Sequence, residues 1–380
     1  MTGEDMLSDR FAGKAGLQQR VLPAYRVPFF DMLASACEGG LSLFAGDPLP
    51  GENIHASTDL LVAHYEPGIN HHFLSPGSAF YRCRQEGIIE WLSASEPDVL
   101  IVEANPRYPS TPDAIDWMHK RGRPVIGWGL GAPPVSGPFG FWRNRKRVNL
   151  IQSLDGIIAY SRRGAKEYQA LGYPRERLFV ATNAAYARPV GSMPDRSAHI
   201  DNNPVVLFVG RLQARKRVDN LINACAALPS SLQPGLWIVG DGPSRQDLES
   251  LAQVVYPSAE FLGARYGAEL DDCFTRADLF VLPGTGGLAV QQAMSFGLPV
   301  IVAEGDGTQA DLVRSENGWL IQAGDLDAIS ESLRAALSDV ERLRLMGAES
   351  YRIVQEEINL EAMVSVFVQA LRTISNLIKR

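Results

Sequence analysis

Short apolar runs alternate with amphipathic segments along most of the chain. In the first half these runs are rich in Val, Ile and Leu and end in small or polar residues, a pattern typical of buried parallel strands. They are LSLFAG (41–46), DVLIVEA (98–104), PVIGWGL (124–130), DGIIAYS (155–161) and LFVATNA (178–184). Helix-like segments such as 81–95 and 162–172 separate them. The alternation predicts a parallel sheet wrapped by helices.

The pattern stops at 188–204, where three prolines and little apolar content predict an interdomain linker. It then restarts. The second set of predicted strands is PVVLFVG (204–210), LWIVGDG (236–242), AEFLGA (259–264), ADLFVLPG (277–284) and PVIVAE (299–304). The helices predicted around them lie at about 217–228, 243–253, 287–296 and 325–338, with a helical region over 339–378.

The chain therefore reads as an α/β protein with two Rossmann-like, doubly wound domains facing a central cleft, where loops at the strand ends carry the chemistry. The predicted division is a flexible tail at 1–16, an N-terminal domain at 17–187, the linker, a C-terminal domain at 205–355, and a helix at 356–380 able to cross back to the N-terminal domain. A length of 380 residues agrees with two cores.

Composition argues against several classes of function and location. The net charge of −7 argues against general nucleic-acid binding, which needs an excess of Lys and Arg. The four cysteines are widely spaced and form no C-x-x-C pair, so buried thiols are expected rather than a zinc site. No run is apolar enough to span a membrane, and the polar start lacks a signal-peptide core, so we expect a cytoplasmic protein.

Three segments carry candidate chemistry. In VGRLQARKRVDNLI (209–222) a strand ends at Gly210, and Arg211 and Lys216 follow five residues apart. Two cations at a strand end suit a diphosphate, although a basic loop is often only a solvated surface.

The second segment is LPGTGGLAVQQAMSFGLPVIVA (282–303), and the third is IVGDGP (238–243). In the second, Gly284, Gly286 and Gly287 lead into a helix near Leu288, so backbone N–H groups and the helix N-terminus can approach a phosphate. The glycines of the third, Gly240 and Gly242, fit either a tight turn or a close approach of backbone to a nucleotide.

In this order, the segments resemble the C-terminal half of family 4 glycosyltransferases, which have the B-type two-Rossmann fold. The shared patterns are G-R-L-x-x-x-K, V-G-D-G-P, F-L-G, A-D-L-F-V-L-P, the glycine turn leading to Q-A-M-x-x-G-x-P-V-I, and GDGTQADLVRSENGWLI (305–321). The resemblance covers about 204–350, and LPAYRVPFF (22–30) is similar to the opening of some members.

The resemblance implies a retaining transferase that takes a sugar from a UDP- or GDP-linked donor without a metal or other cofactor. Arg211 and Lys216 would be catalytic, holding the diphosphate together with the turn at 284–288. The remaining donor contacts would come from Gly210, Gly240, Gly242, Gly263, Arg265, Gly284, Thr285, Gly286, Gly287, Leu288 and Gln292. The acceptor, a carbohydrate or lipid-linked molecule of surface polysaccharide or glycolipid synthesis, would bind the N-terminal domain.

Two positions depart from the family. It has glutamates eight residues apart where this chain has Gly284 and Gln292, and it often has a His-Gly pair where this chain has Leu130-Gly131. Gln292 can still accept a hydrogen bond, but without charge. These departures keep a catalytically weak sugar-nucleotide-binding protein open as an alternative, beside another enzyme of the same fold such as a nucleotide-sugar epimerase.

In the N-terminal domain, Tyr25, Arg26, Glu103 and Leu130 fall where strands would open into the cleft, and we expect acceptor contacts there. A capping role for Glu103 is an equal alternative. The stretch 139–147 interleaves aromatic residues (Phe139, Phe141, Trp142) with basic ones (Arg143, Arg145, Lys146, Arg147). It suits either a solvated helix start or peripheral contact with an anionic inner membrane face.

Overall fold

The structure is a computed structural model that describes residues 10–52, 54–78, 80–135, 137, 139–197 and 204–378. The chain forms two compact units. Unit 1 contains the residues up to Ala185 together with those from Leu360 onward, and unit 2 is Tyr186–Asn359. Of the predicted linker, 188–197 groups with unit 2, and 198–203 lies outside the described residues.

Unit 1 is built on a parallel sheet. Its strands are β1 (Ala15–Val21), β2 (Leu41–Gly46), β3 (His64–Pro67), β4 (Ile69–Phe73), β5 (Arg82–Glu86), β6 (Val99–Glu103), β7 (Val125–Gly129), β8 (Gly156–Ala159) and β9 (Leu178–Val180). The helices of unit 1 that lie before Ala185 are α1 (Val27–Ser35), α2 (Ile88–Ser95), α3 (Ser110–His119), α4 (Gly140–Gln152) and α5 (Arg162–Ala170).

Among the described residues of unit 1, the sheet runs β3-β2-β1-β6-β7-β8-β9 with parallel neighbours, and β4 and β5 form a separate antiparallel pair. The strand order reverses between β1 and β6. In open α/β sheets ligands bind outside the carboxyl ends of the strands at this reversal. In unit 1 those ends are Val21 and Glu103.

Unit 2 repeats this plan. Its strands are β10 (Val205–Val209), β11 (Gly235–Val239), β12 (Ala259–Gly263), β13 (Leu279–Leu282), β14 (Val300–Ala303) and β15 (Gly318–Ile321). Its helices are α6 (Val218–Ala226), α7 (Arg245–Val255), α8 (Ala268–Arg276), α9 (Leu288–Ser295), α10 (Gln309–Leu312), α11 (Leu326–Leu337) and α12 (Val340–Glu356). Within the described part of unit 2 the sheet order is β12-β11-β10-β13-β14-β15, so the reversal lies between β10 and β13.

The last helix, α13 (Leu360–Ile378), packs in unit 1. Its Phe367 is fully buried, with its ring centroid 4.9 Å from that of Phe29 and 5.0 Å from that of Trp128. This aromatic cluster fixes α13 beside α1 and the end of β7. None of the helices in the described ranges is both long and apolar enough to cross a bilayer.

Two local predictions need correction. The predicted tail is too long, because Phe11 is already buried and β1 begins at Ala15; residues 1–9 lie outside the described part of the chain. The predicted helix at 81–95 is wrong in its first half, where β5 occupies Arg82–Glu86 and helix α2 starts only after it. Alternate residues of β5 are buried, which is the period of a strand.

Candidate functional site

The loop after β10 is held by close contacts with the turn after β11. Leu212 N donates to Asp241 O (2.9 Å), and Ser244 N donates to Leu212 O (3.1 Å). A Cβ on Gly240 would lie 1.9 Å from Gly210 O, and one on Gly242 would lie 2.3 Å from Leu212 O. Both glycines have positive φ angles, so these turns need glycine for two reasons.

Lys216 ends this loop in a buried position. The whole residue is only 9% exposed, and its Nζ lies 2.1 Å from the position that a Cβ on Gly286 would occupy. Among the described residues the ammonium has no hydrogen-bond or ion-pair partner. Burial lowers the pKa of Lys216 from 10.5 to about 8, and the nearby charge of Arg215 lowers it further in the same direction. A buried cation without a partner is costly unless an anion joins it.

The glycine turn after β13 lies directly against this lysine. Thr285 N donates to Arg215 O (3.1 Å), and a Cβ on Gly284 would lie 2.3 Å from the same oxygen. Gly287 then precedes α9, whose first turn leaves backbone N–H groups without partners inside the helix. The ammonium and the helix N-terminus thus meet at the strand reversal of unit 2 and together suit an anion.

Arg211 supplies a second cation on the same loop. Its side chain is exposed, and within the described ranges it forms no ion pair. The structure therefore brings the two predicted catalytic residues together on one loop, with Gly210 at its start. Leu288 opens α9 at the end of the glycine turn.

The other predicted donor residues fall into two places. Gly240 N donates to Gly263 O (2.8 Å), which joins the ends of β11 and β12. Arg265 follows this point, and its guanidinium is bound to Leu262 O (3.0 Å) and Glu269 (3.1 Å). Gln292 lies one turn into α9, where its Oε1 accepts a hydrogen bond from the Tyr186 hydroxyl (3.0 Å).

Sequence reasoning missed two residues near the turn. Tyr186 was not considered because it stands beside the predicted linker. Gln309 was overlooked inside the run 305–321, although it is buried and its Oε1 accepts from Gly305 N (3.2 Å). Its Nε2 lies 3.8 Å from where a Cβ on Gly287 would stand, so it borders the glycine turn. No local signal in the sequence marks either residue.

Unit 1 carries a cavity of about 370 Å³ at the ends of β6 and β7. Glu103 and Leu130, for which the sequence predicted acceptor contacts, line it, and so do the aromatic side chains of Trp128 and Tyr160. Burial raises the pKa of Glu103 from 4.5 to about 7, although Arg20, whose N donates to its Oε2 (3.0 Å), acts in the opposite direction. The carboxyl therefore binds a proton near neutral pH.

Arg26 and Tyr25 do not line this cavity. Arg26 is only 3% exposed; its guanidinium donates to Asn183 Oδ1 (2.5 Å) and lies 4.9 Å from the ring centroid of Trp128. Its role in this structure is to bind parts of unit 1 together, which corrects the expectation of direct acceptor contact. Tyr25 is partly exposed beside it.

The aromatic and basic stretch forms the start of α4. Phe139, Phe141 and Trp142 are 64%, 72% and 63% exposed, and Phe139 packs edge-on against exposed Phe80 at 6.1 Å. Arg143, Lys146 and Arg147 line the unit 1 cavity, whereas Arg145 does not. In the described ranges, no three His, Cys, Asp or Glu side chains come together as metal ligands would.

A family model described as "Glycosyl transferases group 1" matches residues 192–352. The chain is 34% identical to the sulfoquinovosyl transferase SQD2 of Arabidopsis thaliana over 151 residues, which are 38% of this chain and 28% of that protein. It is 38% identical to a GDP-mannose-dependent alpha-mannosyltransferase of Mycobacterium tuberculosis over 130 residues, 33% of this chain and 32% of that one. By these matches, the chain is similar to glycosyltransferases.

The chain spans less than a third of the length of these two curated relatives. A solved structure extends the likeness further. HepE from Anabaena, crystallised in complex with UDP, superposes with a TM-score of 0.68 and 17% identity, covering 94% of this chain and 99% of HepE. At that identity the likeness concerns the fold, and it confirms the predicted α/β class with two Rossmann-like domains.

Proposed function

We propose that the chain is a retaining glycosyltransferase of family 4. It transfers a sugar, a hexose by our expectation, from a UDP- or GDP-linked donor to an acceptor in surface polysaccharide or glycolipid synthesis. The named activities of its relatives and the UDP complex of HepE support a nucleotide-sugar donor.

The observation that carries the proposal is the ammonium of the buried residue Lys216, which has no partner in the part of the chain that the structure describes and lies against Gly286, beside the start of α9. A diphosphate supplies the negative charge that this arrangement lacks. Arg211, exposed on the same loop, can add a planar pair of donors to the same group.

In the proposed reaction the bond between the anomeric carbon and the diphosphate oxygen breaks, and the acceptor hydroxyl oxygen bonds to that carbon on the same face. The hydroxyl proton passes to the departing phosphate oxygen, so configuration is retained without a protein nucleophile. Lys216, Arg211 and the N-terminus of α9 stabilise the negative charge that develops on the diphosphate. No step in this scheme uses a metal ion.

Unit 1 is proposed to bind the acceptor in the cavity lined by Glu103 and Leu130. Because its pKa is raised to about 7, Glu103 can either donate to or accept from an acceptor hydroxyl. The nucleoside is assigned to unit 2, near Gly263, Arg265 and Gln292.

We also propose that α4 rests on an anionic membrane surface through its exposed aromatic residues. Wild type should cosediment with vesicles that contain anionic lipid, and Phe141→Ser/Trp142→Ser should not. Tyr266→Ser, which removes an 80% exposed aromatic residue from unit 2, is the matched control. If wild type stays in the supernatant, this part of the proposal is wrong.

Donor binding tests the central proposal. Calorimetry with UDP and with GDP should detect binding of at least one nucleotide, and Arg211→Ala should weaken it about tenfold or more, the scale of one charged hydrogen bond. Arg334→Ala, which removes another exposed cation of unit 2, should bind like wild type. Absence of nucleotide binding in the wild type would exclude a sugar-nucleotide enzyme. Transfer of labelled sugar by the wild type would then separate an enzyme from a protein that only binds its donor.

A further inference from the structure

The cavity of unit 1 is strongly basic. Five cationic side chains line it, and Glu103 is the only acidic residue among its lining residues. The five are Arg82, Arg107, Arg143, Lys146 and Arg147. In a chain whose net charge is −7, this concentration of positive charge is local and needs an explanation.

These cations are not neutralised by the protein. Among the described residues, none of the five forms an ion pair. The Arg147 guanidinium donates to the backbone oxygen of Pro133, which is uncharged. On the surface of this chain many other arginines have a carboxylate partner, as Arg84 has Asp113 (3.6 Å). The cavity side chains therefore remain available for an anion from outside.

The positive charges also disfavour one another. Burial lowers the pKa of Arg147, and the charges of Arg143 and Arg107 act in the same direction. Glu103 offsets only part of this charge near neutral pH, because its pKa is raised to about 7. A folded protein keeps such repulsion where a ligand of opposite charge relieves it.

We infer that the acceptor carries a phosphate group and that the cationic side chains of the unit 1 cavity bind it. A phosphate monoester carries nearly two negative charges and three strong acceptor oxygens, which matches several converging guanidinium groups better than one carboxylate does. The cavity of about 370 Å³ is large enough to hold more than the phosphate alone. That the phosphate belongs to the acceptor rests on the proposed function, whereas phosphate binding in this cavity does not.

The test uses the full chain with saturating UDP, so that the phosphate-binding loop of unit 2 is occupied. Glycerol 3-phosphate is titrated by calorimetry. Binding should weaken about tenfold or more in Arg82→Ser/Arg107→Ser, because two charged hydrogen-bond donors are lost. Arg84→Ser/Lys120→Ser removes the same charge from exposed positions of unit 1 that do not line the cavity, and it should bind like wild type.

A second arm separates the sources of the phosphate. Vesicles of phosphatidylcholine with phosphatidic acid replace the soluble probe. If wild type binds only these vesicles, and Arg82→Ser/Arg107→Ser does not bind them, the phosphate belongs to a lipid headgroup. Neither substituted residue belongs to the stretch 139–147. The inference is overturned if neither probe binds, or if both double variants bind alike. Failure of both UDP and GDP to bind, with phosphate binding intact, would instead reject the proposed function and leave the anion site in place.

Discussion

Replacing Lys216 by methionine should make the protein more stable and should remove its donor binding. Methionine keeps an unbranched side chain that fits the buried stem but carries no charge. Among the residues that the structure describes, the ammonium has no partner to lose. The substitution therefore removes a buried charge without removing a bond in the free protein.

The magnitude follows from the pKa. A pKa of Lys216 lowered from 10.5 to about 8 means that the charged form is disfavoured in the folded state. At about 1.4 kcal/mol for each pH unit, the cost is at most about 3 kcal/mol, so Lys216→Met should raise the free energy of unfolding by roughly 1–3 kcal/mol at neutral pH.

The effect has a defined pH dependence. Between pH 8 and 10.5 the unfolded lysine binds a proton that the folded one has released, so the destabilising contribution of Lys216 decreases with rising pH over this interval. Below pH 8 the full cost is present, and above 10.5 both states are neutral. The advantage of Lys216→Met should therefore be largest near neutral pH and should disappear as the pH approaches 10.5.

Urea denaturation at pH 7 and at about pH 10, followed by tryptophan fluorescence, to which Trp237 and Trp319 of unit 2 contribute, measures this difference. Arg215→Met is the matched control, because it removes a neighbouring but exposed cation and should change stability by only about 0.5 kcal/mol. A thermal shift with UDP completes the assay: a ligand at 100 times its dissociation constant stabilises by about 2.7 kcal/mol, and the variant should lack this shift. A less stable Lys216→Met at pH 7, or an unchanged UDP shift, would refute the reasoning.

Three further predictions follow from the same structure. Gly286→Ala should abolish donor binding, because its methyl group would stand 2.1 Å from Lys216 Nζ at a φ of +124°, whereas Gly287→Ala, whose methyl group would lie 3.8 Å from Gln309 Nε2, should fold normally; equal donor affinities would contradict this. The contribution of Glu103 to stability should decrease as the pH rises from 4.5 through 7, because its raised pKa favours the protonated folded form, and Glu103→Gln should be more stable than wild type above pH 7 by roughly 1–3 kcal/mol in urea titrations. A stability difference that is the same at pH 5 and pH 8 would exclude Glu103 as its cause. Sugar transfer should survive a chelator such as EDTA, and loss of activity restored by magnesium or manganese would show a metal requirement.

The strands predicted from the sequence were those made of continuous apolar residues. Five such runs in each half correspond to strands of the two parallel sheets, because buried parallel strands are apolar on both faces. The helix stop at Gly297, with a positive φ, and the new strand after Pro299 were also predicted correctly.

The first strand was hidden by its composition. In β1 the buried residues include Gln18 and Gln19, which hydropathy marks as exposed. Gln85 Nε2 donates to Gln19 O (3.0 Å), and Gln18 Oε1 accepts from Glu103 N (3.1 Å). Gln18 and Gln85 are thus paired across three strands, which only the fold reveals, whereas Gln19 Nε2 is buried without a partner among the described residues. The same network explains why β5, with Gln85, was taken for part of a helix.

The site was predictable where its backbone geometry requires particular residue types in the sequence. Glycines and a lysine at set intervals identified the loop of unit 2. The cationic cavity of unit 1 was not predicted as a whole, because Arg82 and Arg107 come from separate elements and their convergence with α4 depends on tertiary packing. Likewise, no spacing rule links Tyr186 to Gln292 across more than one hundred residues.

Three glycines of unit 2, which belong to separate sequence motifs, have one function in common. Gly240, Gly242 and Gly284 each meet backbone of the loop 210–216, at 1.9, 2.3 and 2.3 Å from where a Cβ would stand. A side chain at any of them must displace the loop that carries Lys216. Gly284→Glu, which places a glutamate where the family 4 glycosyltransferases that this chain resembles have one, should therefore weaken donor binding as much as Gly284→Ala does. If calorimetry shows that Gly284→Glu binds UDP as well as wild type, the loop can move aside, and its tight packing is not what positions the lysine.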